Sequence, residues 1–288
     1  MKRILVPTDF SEQAGFAMDL ACQIARKTKS ALIVLHVLDY TGLFDFSAGS
    51  SAYPLMGNPA GLDLDQEFME SLYRNAEEKC AKFLKEHETE DLRIVKKIKI
   101  GSAFHYITEE INEEKTDLVI MGSKGSSGFE EVLIGSNTEK VVRHAKCPVL
   151  TVKSKINVNN VNDIVFATSF KEEDSHVAEE VKKLQEVFKA KLHLVRVNTP
   201  NNFETNRVIM EKANNFIKEN SITNYTINIY SDKVEEDGII FFAQDINADL
   251  IALATHGRSG LLHLLSGSIA EDVVNHAKRP VWTFRLKH

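Results

Sequence analysis

Residues 118–152 read LVIMGSKGSSGFEEVLIGSNTEKVVRHAKCPVLTV, and residues 250–284 read LIALATHGRSGLLHLLSGSIAEDVVNHAKRPVWTF. The second stretch repeats the first without a gap, at an offset of 132 residues. In each copy an apolar run leads into a glycine-containing loop and then into residues with helical spacing. A strand, a loop and a helix in this order can build a cradle for a phosphate. The repeat therefore predicts two related units, each with one candidate anion site.

The two copies differ at their glycines. The first copy has Gly122, Gly125 and Gly135, whereas the second has Ala254 at the position of Gly122. Glycine lacks a Cβ, so backbone amides at these positions can approach a ligand closely. The helix that follows Gly135 presents free amides and a dipole that favour an anion. We therefore expect the two sites not to be equivalent.

Size and composition limit the class of protein. The chain has 288 residues, enough for two ordinary domains, with 43% apolar and 26% charged residues. A formal net charge of −6 argues against a general nucleic-acid binder. The sequence contains no secretory start and no apolar run of about 18 residues, which favours a cytoplasmic protein that is not embedded in a membrane. Three cysteines without a CxxC spacing are expected to be reduced thiols.

Apolar runs alternate with amphipathic stretches in both halves, which predicts an α/β fold with a parallel sheet in each half. Residues 3–8 match residues 163–168 at an offset of 160, so the first half carries 28 extra residues. Most of these lie in the segment 40–62, which is predicted to be a loop. The polar stretch KSKINVNNVN at 153–162 is a credible linker. The predicted domains are therefore residues 1–153 and 162–288.

The predicted site joins two loops at one edge of the sheet. Asp9 follows the first strand and Gly122 follows the fourth, and ligands of such sheets bind at the carboxyl ends of strands. The Asp9 carboxylate would repel phosphates but can accept hydrogen bonds from a ribose hydroxyl or a base amine. Ser11 is a plausible N-cap for the first helix.

Some of these signals have purely structural alternatives. The pattern Ser136-x-x-Glu139 fits a capping box, which needs no ligand. His36 and His193 lie on apolar strands, which favours core histidines over ligands. We find no convincing general base beside the phosphate loop, and we assign no catalytic residue and no metal site.

Three motifs resemble the universal stress protein family, specifically its tandem two-domain members: ILVPTDFSE at 4–12, LHV at 35–37, and VIMGSKG…GSNTEKVV within 119–142. The resemblance covers nearly the whole chain. It implies two tandem Rossmann-like domains, each a five-stranded parallel sheet of order 3-2-1-4-5 with helices on both faces. It also implies that the last strands, Val149–Val152 and Val281–Phe284, pair edge to edge as an intramolecular pseudo-dimer of domains.

Family members with the complete glycine motif typically bind ATP, so the resemblance implies an adenine nucleotide in the first half. Asp9 and Val37 would contact adenine, and Met121 and Gly122 would lie at the ribose. The phosphates would be bound by Gly125, Gly135, Ser136 and Asn137, with Thr138 nearby. The expected cofactor is ATP with Mg, and AMP and ADP are the alternatives. The second half departs at Ser169, which replaces Asp9, and at Ala254, so a degenerate site is expected there.

The sequence thus predicts a cytoplasmic, ATP-binding stress-response protein with a regulatory function and at most slow ATP hydrolysis. A ligand-free interaction scaffold is one alternative. An adenylyl-transferring enzyme is a weaker one, because such enzymes typically carry SGGxDS or HIGH after the first strand, whereas residues 7–12 read PTDFSE. The expected partner is an adenine nucleotide, neither nucleic acid nor membrane, and a further homodimer is left open. Segment 40–62 is predicted either to fold over the nucleotide as a lid or onto a neighbouring domain, or to be a mobile tether.

Overall fold

The computed structural model describes residues 1–38, 66–87, 89–123, 134–255 and 269–286. Strands and α-helices alternate through these ranges. The first half contains β1 (Arg3–Pro7), α1 (Glu12–Thr28), β2 (Ala31–Leu38), α2 (Gln66–Glu86), β3 (Ile94–Ile100), α3 (Ala103–Glu113), β4 (Leu118–Gly122), α4 (Ser136–His144) and β5 (Val149–Val152). The second half contains β6 (Asp163–Ala167), α5 (Ser175–Phe188), β7 (Lys191–Asn198), α6 (Asn206–Glu219), β8 (Tyr225–Ser231), α7 (Glu235–Asp245), β9 (Leu250–Thr255), α8 (Ile269–His276) and β10 (Val281–Arg285). Short 3₁₀ turns at Glu172–Asp174 and Pro200–Asn202 precede α5 and follow β7.

All ten strands form one sheet of order β3-β2-β1-β4-β5-β10-β9-β6-β7-β8. Each half therefore has the predicted order 3-2-1-4-5, and its strands are parallel. The two halves meet at β5 and β10, which pair antiparallel with Trp282 opposite Leu150. The last strand of each half thus lies against the other, as the family resemblance implies.

Helices cover both faces of the sheet, and each face has its own buried cluster. One cluster lies under α1, α2, α5 and α6; representative members are Met18, Cys80, Val181 and Phe216. The other lies under α3, α4, α7 and α8; representative members are Ile107, Val141, Ile239 and Val273. Alternation along β1 divides its side chains between them, with Ile4 and Val6 in the first cluster and Leu5 in the second. The prediction of a sheet with helices on both faces is confirmed.

All three cysteines are buried and free. Burial raises the pKa of the Cys22 thiol to about 11 and that of the Cys147 thiol to about 12, so both are protonated at neutral pH. A protonated, buried thiol is a poor nucleophile, and these residues serve as core packing. Within the part of the chain that is described, no helix combines the length and apolar character required to cross a bilayer.

The joint between β5 and β10 leads to a prediction about the isolated first half. All four residues of β5 are buried, and the Thr151 hydroxyl donates to the carbonyl of Val281 at 3.1 Å. A fragment of residues 1–153 would expose this apolar strand as an open edge, and open edges pair with other chains. We expect the fragment to dimerise with rising concentration in light scattering, and Thr151→Lys to suppress this by placing a charge on the edge. A fragment that stays monomeric throughout would contradict the prediction.

Candidate functional site

The strand order makes the carboxyl ends of β1 and β4 the expected position of a ligand-binding crevice. These strands are paired, with Ile4 opposite Leu118. The chain leaves β1 for α1 on one face, whereas α3 and α4, which flank β4, lie on the other face. The point at which the connections of two neighbouring strands lie on opposite faces is the usual ligand-binding position in a parallel sheet. Asp9, two residues beyond β1, and Gly122, the last residue of β4, leave the sheet at this same edge.

Asp9 belongs to a tight turn between β1 and α1. The amide of Ser11 donates to Asp9 Oδ1 at 3.0 Å, and the amide of Phe10 donates to the Thr8 hydroxyl at 3.0 Å. Phe10 adopts a left-handed conformation with φ of 63°. Ser11 then caps α1 by accepting from the amide of Ala14 at 3.3 Å, which confirms the predicted N-cap. The Asp9 side chain is exposed and oriented by this turn, so it can meet a ligand in the crevice.

His36 supports the same turn from β2. Its Nδ1 donates to the carbonyl of Thr8 at 2.8 Å, and its ring lies 4.3 Å from the Phe10 ring. Burial lowers the pKa of His36, which favours the neutral imidazole at neutral pH. His36 is thus a structural residue, in line with the sequence interpretation. The neighbouring Val37 is half-buried and packs against the second cluster.

Gly122 is required by the approach of α1. A Cβ at this position would lie 2.9 Å from both the carbonyl carbon and the Cβ of Gln13, closer than real side chains pack. The first turn of α1 therefore excludes any larger residue, independently of a ligand. The side chain of Met121 is only 5% exposed and belongs to the second cluster. Any ligand contact at Met121 therefore falls to its backbone.

The start of α4 has a glycine at its N-cap position. Gly135 occupies the N-cap position with φ of −64° and ψ of 143°, and among the described residues no side-chain hydrogen bond caps the helix. The capping-box alternative is wrong, because Ser136 lies inside the helix and Glu139 pairs with Arg143 at 3.1 Å. Ser136 and Asn137 are exposed. The first-turn amides are therefore available to an anion.

Two hydrogen bonds within the first half close the base of the glycine loop. The amide of Gly135 donates to the carbonyl of Ser123 at 2.7 Å, and the hydroxyl of Thr138 donates to the carbonyl of Gly122 at 3.0 Å. Thr138 is buried, so its hydroxyl holds β4 to α4 rather than facing a phosphate. Gly125 and the proposed lid at 40–62 lie outside the described residues, and both remain predictions.

Ser123, immediately after β4, has a buried hydroxyl that sequence reasoning missed. Its Oγ has no hydrogen-bond partner among the described residues, and the same holds for Oγ1 of Thr255, its counterpart in the second half. Leaving such a group unsatisfied costs about 1–3 kcal/mol. Each half thus has one buried hydroxyl of this kind at the equivalent position, so the feature does not distinguish one candidate site from the other.

The second half has its own carboxylate at the equivalent strand end. Asp174 is 4% exposed, and its Oδ2 accepts from the Thr168 hydroxyl at 2.9 Å and from the amide and hydroxyl of Ser169 at 2.9 and 2.8 Å. The 3₁₀ turn that carries Asp174 delays the start of α5. Gln13 in α1 corresponds to Glu173 in this turn, and the position of Gly122 is occupied by Ala254. The donors at this strand end are thus satisfied internally, whereas Asp9 faces outward.

Nothing in the described residues forms a metal centre. No group of three or more histidine, cysteine, aspartate and glutamate side chains among them could hold a metal ion. His193 instead pairs with Asp163 at 2.7 Å and with the Thr226 hydroxyl at 2.9 Å, which gives it a structural role.

Comparison with known proteins yields a consistent set of similarities. The model of the universal stress protein family matches residues 1–153 and, a second time, residues 160–285. Universal stress protein MJ0577 of Methanocaldococcus jannaschii is 32% identical over 155 residues, which cover 54% of this chain and 96% of the relative. Universal stress protein Sll1388 of Synechocystis is 27% identical over 154 residues, 52% of this chain and 97% of the relative. The crystal structure of a universal stress protein from Archaeoglobus fulgidus superimposes with a TM-score of 0.75, at 20% identity, over 99% of this chain and 98% of the other.

Proposed function

Because the chain belongs to the universal stress protein family, with two copies of the family domain in tandem, we propose that its first half binds an adenine nucleotide. The observation that carries this proposal is the glycine N-cap of α4, whose first-turn amides have no side-chain cap among the described residues and lie beside the carboxyl end of β4. A nucleoside triphosphate is the anion that the family resemblance implies for this position. ATP is the proposed ligand, with AMP and ADP as alternatives.

The proposed roles follow from where each side chain lies. The amides of Ser136 and Asn137 would bind phosphate oxygens, and Gly135 would let them approach. The exposed carboxylate of Asp9 would accept a hydrogen bond from the base amine or a ribose hydroxyl. Val37 would contact adenine from β2.

The remaining members of the proposed site act through the backbone or through other residues. Met121 and Gly122 would present backbone atoms to the ribose, because the side chain of one is buried and the other has none. Thr138 would hold the loop base through its bond to Gly122. Mg²⁺ would bind to the nucleotide phosphates, since the described residues offer no acidic cluster for it.

We infer that the second half is not a tight nucleotide site. Its donors at the strand end already bind the carboxylate of Asp174, which is 4% exposed and is not presented to a ligand as Asp9 is. Ser169 supplies no carboxylate in place of Asp9, and Ala254 adds a methyl where the sugar would approach. We therefore assign nucleotide binding to the proposed domain of residues 1–153 and a degenerate site to the proposed domain of residues 162–288.

The side chains described at the carboxyl ends of β1 and β2 are consistent with a binding role. His36 is held by the Thr8 carbonyl and by its contact with the Phe10 ring, and Asp9 is oriented by the Ser11 amide. We therefore assign neither side chain as a general base. We therefore propose a cytoplasmic protein of the stress response whose nucleotide acts as a regulatory ligand, with hydrolysis slow at most.

Mass spectrometry of the ligand released by denaturing the purified chain tests this function. We expect ATP, ADP or AMP at close to one equivalent per chain, and much less from a Gly135→Val variant purified in parallel. A chain that releases no adenine nucleotide and binds none on addition would contradict the proposal and would favour an interaction scaffold.

A further inference from the structure

We propose that Asn275, on α8 of the second half, is a positioning residue for the nucleotide site of the first half. Its side chain fixes the point at which the glycine loop enters α4. This inference rests on the proposed function, because it assigns to the second half a role in nucleotide binding at the other site.

The geometry is a hydrogen bond across the joint between the halves. The amide of Ile134, the residue before Gly135, donates to Asn275 Oδ1 at 2.9 Å. The other two bonds at the loop base, from Gly135 to Ser123 and from Thr138 to Gly122, are made within the first half. The second half thus supplies an acceptor at the residue that precedes the proposed phosphate-binding helix.

Asn275 is itself held in place. Its backbone carbonyl accepts from the Lys153 ammonium at 2.6 Å. One turn earlier on α8, the buried carboxylate of Glu271 binds Arg143 through two hydrogen bonds, from Nε at 2.7 Å and from a terminal nitrogen at 2.5 Å. Bidentate pairs of this kind fix orientation as well as distance. Helix α8 is therefore attached to the last turn of α4 through Arg143 and to the entry of α4 through Asn275.

The hydrogen bond between Ile134 and Asn275 has no equivalent with the two halves exchanged, because the residue types differ. At the repeat offset of 132 residues, Asn275 corresponds to Arg143, and Ile134 corresponds to Ser266. An asparagine side chain offers an oxygen that accepts from an amide, whereas the arginine guanidinium has only donors. Arg143 therefore cannot make the reciprocal bond to the loop of the second half. The acceptor side chain therefore lies on the second half and serves the first half.

The test compares side chains at position 275 in the full chain. Asn275→Leu removes the acceptor at similar size, and Asn275→Ala removes the whole amide group. Both residues favour helix more than asparagine does, so α8 itself should not be weakened. Loss of one neutral hydrogen bond predicts a rise in the ATP dissociation constant of about three- to tenfold in each variant. Asn215→Ala, at an exposed asparagine on α6, serves as the matched control and should change nothing.

Hydrogen exchange of the Ile134 amide, followed by NMR without nucleotide, separates positioning from a general loss of structure. We expect faster exchange of this amide in Asn275→Leu, with core amides of β9 and β10 unchanged. Asn275→Asp retains an acceptor oxygen and should restore protection of the Ile134 amide.

The two outcomes that contradict the proposals are distinguishable. Unchanged ATP affinity in Asn275→Leu and Asn275→Ala, with wild-type protection of Ile134, would overturn this inference alone. A wild-type chain that binds no adenine nucleotide would overturn the proposed function, and this inference with it.

Discussion

Replacing Gly122 with valine is expected to lower the free energy of unfolding by about 1–3 kcal/mol and to weaken ATP binding at least tenfold. The new Cβ would lie 2.9 Å from the backbone of Gln13, and backbone in the first turn of a helix cannot rotate aside as a flexible side chain can. The helix start must therefore shift, and the turn that orients Asp9 shifts with it. Urea unfolding and an ATP titration measure the two effects.

Ala254→Val is the matched control for this change. Valine is then introduced at the equivalent position of the second half, where a Cβ is already present and the chain forms a 3₁₀ turn instead of the first turn of a helix. We expect a smaller loss of stability and unchanged ATP affinity. A Gly122→Val chain as stable as wild type would contradict the packing argument.

Replacing Gly135 with valine is expected to weaken ATP binding at least tenfold while leaving the fold nearly unchanged. Gly135 has an extended backbone conformation, with φ of −64° and ψ of 143°, that valine adopts without strain. The branched side chain would stand where the phosphates must approach the amides of Ser136 and Asn137. Thermal unfolding checks the fold, and an ATP titration checks the site.

Gly267→Val, at the sequence-equivalent position of the second half, provides the control and should leave ATP affinity unchanged. A folded Gly135→Val chain with wild-type affinity would show that Gly135 only begins a helix. The two glycine variants therefore separate a packing requirement at Gly122 from a ligand requirement at Gly135.

The strand and helix order could be predicted from sequence because it depends on local periodicity that occurs twice. The N-cap at Ser11 was equally accessible, since capping is a short-range hydrogen bond. The capping box at Ser136 failed for a related reason. The helix begins one residue earlier than the pattern requires, with Gly135 at the N-cap, and Glu139 pairs with Arg143.

Other features of the site depend on distances that no local pattern contains. The need for glycine at 122 comes from the approach of Gln13, and the amide of Ile134 is held by a residue 141 positions away. The carboxylate of Asp174 binds the donors at the end of β6 only because a 3₁₀ turn brings it back to Thr168 and Ser169. These contacts appear once the helices are packed on the sheet.

Calorimetric titration of the nucleotide-free chain with ATP tests the central claim most directly, because it counts sites as well as measuring affinity. We predict one tight site per chain, which Gly135→Val removes and Gly267→Val leaves intact. Two equal sites per chain would contradict the inference that Asp174, Ser169 and Ala254 make the second half degenerate. No binding at all would contradict the proposed function of the first half.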